Sequence, residues 1–168
     1  MHKRLGHTTD RISPATFRRQ QVSSVGRREP ATIAASSTLG SAIAAMQSGD
    51  ARSVLITDED QRLVGVFTER DIVLRVVGVE PPADSAGPIG DYMTRNPDTL
   101  RLDSTLGEAV QLMERRGYHG VPLVDDEGRV AGHLDARDVL EYIAEAFPQE
   151  VLNLPPRPHQ QMDQPEGA

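Results

Sequence analysis

Apolar residues between positions 30 and 78 are arranged in two ways, as a helical period and as unbroken runs, and each arrangement predicts the local structure. Spacing at every third or fourth position predicts a helix over 39–46, for which Thr38 offers an N-cap. Unbroken apolar runs at 54–56 and 63–67 flank a short polar turn. Two such runs around a turn predict a β-hairpin.

One further element is predicted at each end of this unit. Thr32-Ile33 predicts a brief strand before the helix, and Thr68 offers an N-cap for a second helix after the hairpin. This second helix is expected to direct Ile72, Val73 and Val76 toward the core. The whole unit is therefore predicted to be strand, helix, strand, strand, helix.

The chain repeats this unit at a constant spacing of 67 residues. Ser37-Thr38-Leu39-Gly40 returns as Ser104-Thr105-Leu106-Gly107, and Arg70-Asp71 returns as Arg137-Asp138. A unit of this length is a whole supersecondary module, so two copies predict a pseudo-symmetric pair with a cleft between them. The second copy carries the same apolar pattern and is expected to end in a helix up to about Ala146.

The composition excludes several classes of protein. The 168 residues include no cysteine, so neither disulfides nor thiol catalysis is available. No apolar run is long enough to span a membrane, and the segment after Met1 lacks the apolar core of a secretory signal. We therefore expect a cytoplasmic protein that has no membrane partner.

Charge is distributed unevenly, with a formal net charge of −7. Residues 1–30 hold seven basic side chains and two acidic ones, so a basic arm precedes an acidic body. Such an arm could bind nucleic acid or an acidic surface of another protein. The arm, however, has Phe17 as its one aromatic residue, and its basic residues do not repeat along one face. A solvated tail is the favoured interpretation, and nucleic acid is not an expected partner.

Composition also predicts where the parts of the chain begin and end. We expect a basic flexible tail at 1–21, a first repeat at 22–78, a linker at 79–88, a second repeat at 89–146 and a Pro-rich flexible tail at 147–168. The linker and the final tail are rich in proline and polar residues, which favours extended chain.

Two motifs carry a family resemblance. Val64-Gly65-Val66-Phe67-Thr68-Glu69-Arg70-Asp71-Ile72 in the first copy, and Gly120-Val121-Pro122-Leu123-Val124-Asp125 followed by Arg137-Asp138-Val139 in the second, resemble a tandem pair of cystathionine-β-synthase (CBS) domains. Such a pair is a Bateman module, here of the stand-alone bacterial type. The resemblance covers roughly residues 22–146, and it implies an α/β fold of two β-α-β-β-α repeats packed with pseudo-two-fold symmetry.

The resemblance also implies a function. It indicates a regulatory, non-catalytic module that binds AMP, ADP, ATP or S-adenosylmethionine between its repeats, with or without Mg²⁺, and signals occupancy to a regulated protein. No other cofactor and no catalytic or metal-ligating residue is expected. A homodimer is also implied, and the apolar helix faces at 39–46, 106–113 and 139–143 exceed what a chain this small is expected to bury alone.

The first cleft that the resemblance implies is centred on Asp71. A carboxylate at a helix start can accept hydrogen bonds from both ribose hydroxyls, Thr68 adds a hydroxyl beside a phosphate, and Arg70 adds a cation. Taken alone, the three are more typical of an ordinary capped helix with a solvated arginine, whereas within two matching repeats they favour the ribose site. The residues implied for this cleft are Val66, Thr68, Arg70, Asp71, Ser104, Ala109, Tyr118, His119 and Gly120.

The second cleft departs from the pattern of the family. Asp135 stands where the first repeat has Thr68, and His133 stands where it has Val66. A carboxylate repels a phosphate, so we expect the Asp71 cleft to bind first. The residues implied for the second cleft are Ser37, Ala42, Ala51, Arg52, Ser53, His133, Asp135, Arg137 and Asp138.

Two other classes of function stay open at the level of sequence. One is a protein-interaction module with vestigial clefts that acts through its tails, and the other is a regulator that binds metal or nucleic acid. His119 and His133 with Asp135 are the conceivable metal ligands. An enzyme is disfavoured, because the chain has no Gly-rich phosphate loop and no paired histidines at metal spacing.

Overall fold

The structure, a computed structural model, describes residues 13–25 and 28–146. Within those residues, no helix is long and apolar enough to cross a membrane. The predicted Pro-rich tail at 147–168 and most of the predicted basic tail lie outside the described residues.

The first sheet has four strands in the order β1-β2-β3-β4. They are β1 (Thr32–Ala34), β2 (Ser53–Thr57), β3 (Leu63–Thr68) and β4 (Thr94–Arg95). Strand β1 is parallel to β2, and the other neighbours are antiparallel. The predicted hairpin is therefore confirmed as β2 and β3, and its buried strands match the unbroken apolar runs.

The second sheet repeats this arrangement with three strands in the order β5-β6-β7. They are β5 (Leu100–Arg101), β6 (Gly120–Val124) and β7 (Val130–Asp135). Strand β5 is parallel to β6, and β6 is antiparallel to β7. The α/β fold with two copies of one unit is thus confirmed.

Helices α2 (Leu39–Gly49) and α4 (Leu106–Arg116) occupy equivalent places in the two repeats. Their caps are Thr38 and Thr105, whose hydroxyls accept hydrogen bonds from main-chain N–H groups three residues later. Both helices end at a residue in the left-handed conformation, which stops the helix. The predicted bounds of both helices are confirmed within a few residues.

The helix after each hairpin differs between the repeats. In the second repeat, α5 (Ala136–Ala146) is a regular α-helix. In the first, α3 (Glu69–Asp71) continues as a π-helix over Ile72–Val77. The prediction that Val73 faces the core is wrong, because its side chain is 64% exposed. Leu140, the equivalent residue in the regular helix α5, is 63% exposed as well, so this position faces away from the core in both repeats.

Each repeat has its own apolar core, and the predicted exposed faces of α2 and α4 supply those cores. Leu39, Ala42 and Met46 are buried in the first core, while Leu106 and Ala109 are buried in the second. The expectation that these two faces remain exposed for dimer formation is therefore wrong: the sheet of the same repeat covers them.

The segment that leads into each repeat packs on the other repeat. Val22 is fully buried in the second core, and Ile89, which lies 67 residues later, is fully buried in the first. The hydrogen bonds match as well, because Leu106 N donates to Gln20 O at 2.8 Å and Leu39 N donates to Gly87 O at 2.9 Å. The repeats therefore exchange their leading segments.

A short bridge also joins the two sheets. Leu63 N donates to Gly128 O at 3.0 Å, and Val130 N donates to Gln61 O at 3.2 Å. These two bonds are equivalent under the 67-residue repeat, so the pseudo-two-fold axis passes between them. The bridge leaves space between the repeats on either side of the axis.

Part of the predicted basic tail is helical. Helix α1 (Pro14–Arg19) is capped by the Ser13 hydroxyl, which accepts from Thr16 N at 3.2 Å. The ring of Phe17 lies 6.1 Å from that of Tyr142 in α5, so α1 packs against the second repeat. Residues Pro14–Arg19 of the predicted flexible tail thus form a helix with tertiary contacts, although they lack an apolar period.

Truncation of an exchanged residue should weaken the fold. Ile89→Ala removes a fully buried side chain that crosses between repeats, and we expect the free energy of unfolding to fall by about 2–5 kcal/mol. Gln111→Ala, at an exposed site in α4, is the control and should change it by less than about 0.5 kcal/mol. Urea denaturation measures both. Equal effects of the two variants would contradict the exchange.

Candidate functional site

Two cavities open between the repeats, one on each side of the pseudo-two-fold axis. The first, of about 450 Å³, is lined by Thr68, Asp71 and Tyr118, and we name it the Asp71 cleft. The second, of about 670 Å³, is lined by Arg28, Ala51 and Arg137, and we name it the Arg137 cleft. Both volumes are within the range of small-molecule sites.

The structure brings together most of the residues predicted for the Asp71 cleft. The predicted residues that line it are Val66, Thr68, Arg70, Asp71, Tyr118, His119 and Gly120. Ser104 and Ala109 do not line it. Ala109 is fully buried in the second core, and Ser104 Oγ accepts from Arg101 N at 3.1 Å in the turn before α4. Ala109 is kept out of the cleft by the packing of α4 on its own sheet, and Ser104 is kept out by the turn that binds its hydroxyl.

Asp71 is a nearly buried carboxylate at the wall of this cleft, with 7% of its surface exposed. Its Oδ2 accepts hydrogen bonds from Thr68 N and from Thr68 Oγ1, each at 2.8 Å. Its Oδ1 lies 3.4 Å from Arg75 Nε. The capping interaction therefore uses one oxygen and leaves the other with a single, long ion pair.

Thr68 has a different role from the one predicted. Its hydroxyl donates to Asp71 Oδ2 and accepts from Asp71 N at 3.3 Å, which makes a capping box. The proton expected to reach a phosphate is thus already donated to Asp71. The guanidinium group of Arg70, which was predicted to bind a phosphate, remains available. Arg70 lines the cleft, and no described residue forms an ion pair or a hydrogen bond with its guanidinium group.

Arg75 is a site residue that sequence reasoning missed. Its Nη1 donates to Met93 O at 2.6 Å and to Tyr92 O at 3.0 Å, in the segment that crosses from the second repeat. It therefore connects Asp71 to the exchanged segment. The four-residue spacing between Asp71 and Arg75 was the available signal, since such pairs lie on one face of a helix.

The opposite wall of the Asp71 cleft comes from the second repeat. Tyr118 Oη donates to Asp98 Oδ2 at 3.4 Å, and Arg116 Nε lies 2.9 Å from the same oxygen. Burial, followed by the charge of Asp98, raises the pKa of Tyr118. The phenol therefore remains protonated and presents a fixed ring to the cleft.

The Arg137 cleft contains only part of its predicted set. The predicted residues that line it are Ala51, Arg52, Ser53, His133, Asp135 and Arg137. The other three do not line it. Ala42 is fully buried in the first core, Ser37 O accepts from Ile89 N at 2.9 Å, and Asp138 is paired with Arg28. Ala42 is kept out of the cleft by the packing of α2, whereas the crossing segment binds the main-chain carbonyl of the half-buried Ser37 away from the cleft lining.

The two clefts share a wall. Arg52, Ser53, Glu69, His133 and Asp135 line both of them. Asp135 and His133 were predicted to distinguish the second cleft, but they face both cavities. These two residues alone therefore do not make the clefts unequal.

His133 occupies the centre of that shared wall. Its Nε2 lies 3.4 Å from Ser53 Oγ, and its ring covers Gly120, where a Cβ atom would lie 2.3 Å from His133 Cε1. A side chain at position 120 would therefore displace the ring of His133. Burial lowers the pKa of His133, against the opposing charges of Asp135 and Asp138. The imidazole is therefore neutral at pH 7.

The described residues contain no group of three or more His, Asp or Glu side chains arranged to hold a metal ion. His119 lines the Asp71 cleft, whereas His133 and Asp135 line both clefts.

Sequence comparison relates the chain to one family. The family model of the CBS domain matches residues 22–78 and 89–145. The uncharacterized protein MK0525 of Methanopyrus kandleri is 32% identical over 127 residues, which is 74% of this chain and 63% of that protein. The inosine-5′-monophosphate dehydrogenase of Methanocaldococcus jannaschii is 30% identical over 66% of this chain. The chain spans only 21% of that enzyme, so its activity does not carry over.

Solved structures show the same arrangement of repeats. The CBS domain pair of protein MJ0100, in complex with 5′-methylthioadenosine and S-adenosyl-L-methionine, has a TM-score of 0.66 and 25% identity, and the match covers 75% of this chain and 97% of that one. An uncharacterized conserved protein from Pyrococcus horikoshii also has a TM-score of 0.66 and 25% identity, over 74% and 92%.

The lowered pKa of His133 predicts a pH dependence of stability. The unfolded chain binds a proton at this ring below about pH 6.5, where the folded chain still resists it. The stability that the neutral His133 ring contributes is therefore present above pH 6.5 and is lost as the pH falls from 6.5 through the pKa of the folded state. Between pH 7.5 and 5, the wild type should therefore lose more stability than His133→Gln. Parallel pH profiles in chemical denaturation would contradict the assignment.

Proposed function

The chain belongs to the CBS domain family as a tandem pair of repeats, and we propose that it binds an adenosine nucleotide in the Asp71 cleft as a regulatory ligand. One observation carries the proposal. Asp71 is nearly buried, lines the cleft, and keeps Oδ1 outside its capping interaction. A ribose diol is a donor pair that matches such a carboxylate.

The rest of the cleft is chemically suited to the other parts of a nucleotide. Arg70 and Arg52 line it and supply cations for a phosphate, while Val66 and the ring of Tyr118 supply apolar surface for a base. The similar pair of protein MJ0100 is in complex with two adenosine compounds, which supports the same ligand class here. The candidates are AMP, ADP, ATP and S-adenosylmethionine.

The position of the cleft supports a regulatory role. Asp71 belongs to the first repeat and Tyr118 to the second, so a ligand between them contacts both. A ligand shifts an arrangement only if it binds one state more tightly than another, and contact with two bodies provides that difference. We therefore favour a sensor that signals occupancy to a regulated protein over an enzyme.

We also propose that the module forms a homodimer through α5, which the sequence indicated, and the helical segment after β3, in place of α2 and α4. Val73 and Val77 in the helical segment after β3 are exposed, as is Leu140 in α5. Val73 and Leu140 are equivalent under the repeat, so the two helices present a matched apolar surface, which we call the helix-pair face. A symmetric dimer buries such a self-complementary surface.

Substitution of Asp71 should weaken nucleotide binding. Asp71→Asn keeps the shape but removes the charged acceptor, and we expect the affinity measured by calorimetry to fall by about 10-fold or more. Asp138→Asn, at the equivalent position of the other repeat, is the control and should have little effect. Saturating ligand, at about 100 times its dissociation constant, should stabilise the wild type by about 2.7 kcal/mol. A melting temperature that no candidate nucleotide moves would refute the proposal.

Charge on the helix-pair face should dissociate the dimer. Light scattering of the wild type is expected to give twice the chain mass of 18.3 kDa, and Val73→Asp should give the mass of one chain, because a carboxylate cannot be buried there unpaired. Val110→Asp makes the same change at an exposed position in α4 and is the control, which should leave the dimer intact. If only the control dissociates the dimer, the interface lies on α4.

A further inference from the structure

We propose that Arg28 determines which of the two clefts accepts a nucleoside, because its guanidinium group occupies Asp138, the carboxylate equivalent to Asp71. The class of ligand rests on the proposed function, whereas the occupancy of Asp138 is a property of the chain alone. Arg28 thus acts as an internal cation in the place where a ribose would bind the second repeat.

The two carboxylates are prepared in the same way. Asp71 Oδ2 accepts from the main-chain N–H of Thr68 at 2.8 Å, and Asp138 Oδ2 accepts from that of Asp135 at 3.1 Å. Each stands three residues after its partner at the start of a helix. Their exposed fractions are also alike, at 7% and 6%. The local fold therefore offers Oδ1 of both residues to the respective cleft.

The two Oδ1 atoms differ in what covers them. Arg28 Nε donates a hydrogen bond to Asp138 Oδ1 at 3.0 Å. Arg28 lines the Arg137 cleft, whereas Asp138 is not among the described residues that line it. In the other cleft, Asp71 itself lines the cavity. The arginine therefore covers the carboxylate in only one of the two clefts.

Arg75 does not cover Asp71 in the same manner. Its Nε lies 3.4 Å from Asp71 Oδ1, and its Nη1 donates to the carbonyls of Met93 and Tyr92. Its guanidinium group is thus held against the exchanged segment and leaves Asp71 open to the cleft. The main chain of Arg28, in contrast, pairs with that of His133 in β7, which directs the residue to the cleft.

The repeat supplies an internal comparison for Arg28. Arg95 lies 67 residues later, so an arginine is present at the equivalent place of the Asp71 cleft. Its Nη2 donates to Gly90 O at 2.9 Å, and Arg95 is not among the described residues that line that cleft. Arg95 pairs with Gly65 in β3, whereas Arg28 pairs with His133, the equivalent of Val66, so the strand register differs by one residue and the two arginines have different destinations.

A ribose diol and a guanidinium group are both donors, so they compete for the same oxygen of Asp138. A nucleoside can bind there only after a charge-assisted hydrogen bond is broken, and this bond is of the stronger kind. Because 57% of the Arg28 side chain is exposed, its removal leaves no cavity in the core. The Arg137 cleft of the folded chain is therefore intact but closed to the diol.

Calorimetric titration of the full chain with AMP tests the proposal through the number of sites. The wild type should bind one AMP per chain, and Arg28→Ala should bind two. Arg28→Ala with Asp138→Asn should return to one site, and the matched control Arg95→Ala should keep one. Circular dichroism checks that each variant is folded, and Arg28→Gln replaces Arg28→Ala if the latter is not. One unchanged site in Arg28→Ala would overturn the proposal, as would two equal sites in the wild type.

Titration with 2′-deoxy-AMP tests whether the additional site of Arg28→Ala binds the ribose diol. 2′-Deoxy-AMP should bind the additional site of Arg28→Ala at least about 10-fold more weakly than AMP, because one donor to Asp138 is lost. Equal affinity would overturn the role assigned to Arg28. If the wild type binds no AMP and Arg28→Ala gains one Asp138-dependent site, the Asp71 proposal fails while this one stands. Absence of binding in both proteins would overturn both.

Discussion

The exchange of leading segments between the repeats is the interaction on which the rest of the structure depends. Val22 fills the core of the second repeat and Ile89 fills that of the first, and both side chains are fully buried. Burial of such side chains is the main favourable term in folding, so neither core is complete without chain from the other repeat. The two repeats are therefore one cooperative unit, and each cleft between them is lined by both repeats.

The exchange also connects the clefts to the core. Arg75 pairs with Asp71 and donates to the carbonyls of Met93 and Tyr92, and Met93 is buried with Ile89 in the first core. A ligand that changes the charge balance at Asp71 thus acts on the segment that joins the repeats. We propose this contiguous network as the route from ligand occupancy to the arrangement of the repeats, because both of its ends contact the same segment.

Local features of the sequence predicted much of this structure. The 67-residue repeat, the threonine caps and the two hairpins follow from spacing and residue type, and the structure has all of them. Contacts between distant residues were not predictable in this way. The pairing of Arg28 with Asp138 joins residues 110 positions apart. Ala109 is a small apolar residue on a helix, and the sequence does not show whether such a residue faces a cleft or a core. The exposure of Val73, which its equivalent Leu140 shares, likewise depends on which side of the helix the sheet covers.

The central claim is that the Asp71 cleft holds an adenosine nucleotide by its ribose. A crystal structure of the full chain grown with AMP tests it most directly, because it shows the ligand and its donors at once. We expect the ribose hydroxyls within hydrogen-bond distance of Asp71 Oδ1, the base beside Tyr118, and Arg28 still on Asp138. A nucleotide found only in the Arg137 cleft, or an Asp71 cleft that stays empty at saturating AMP, would contradict the account.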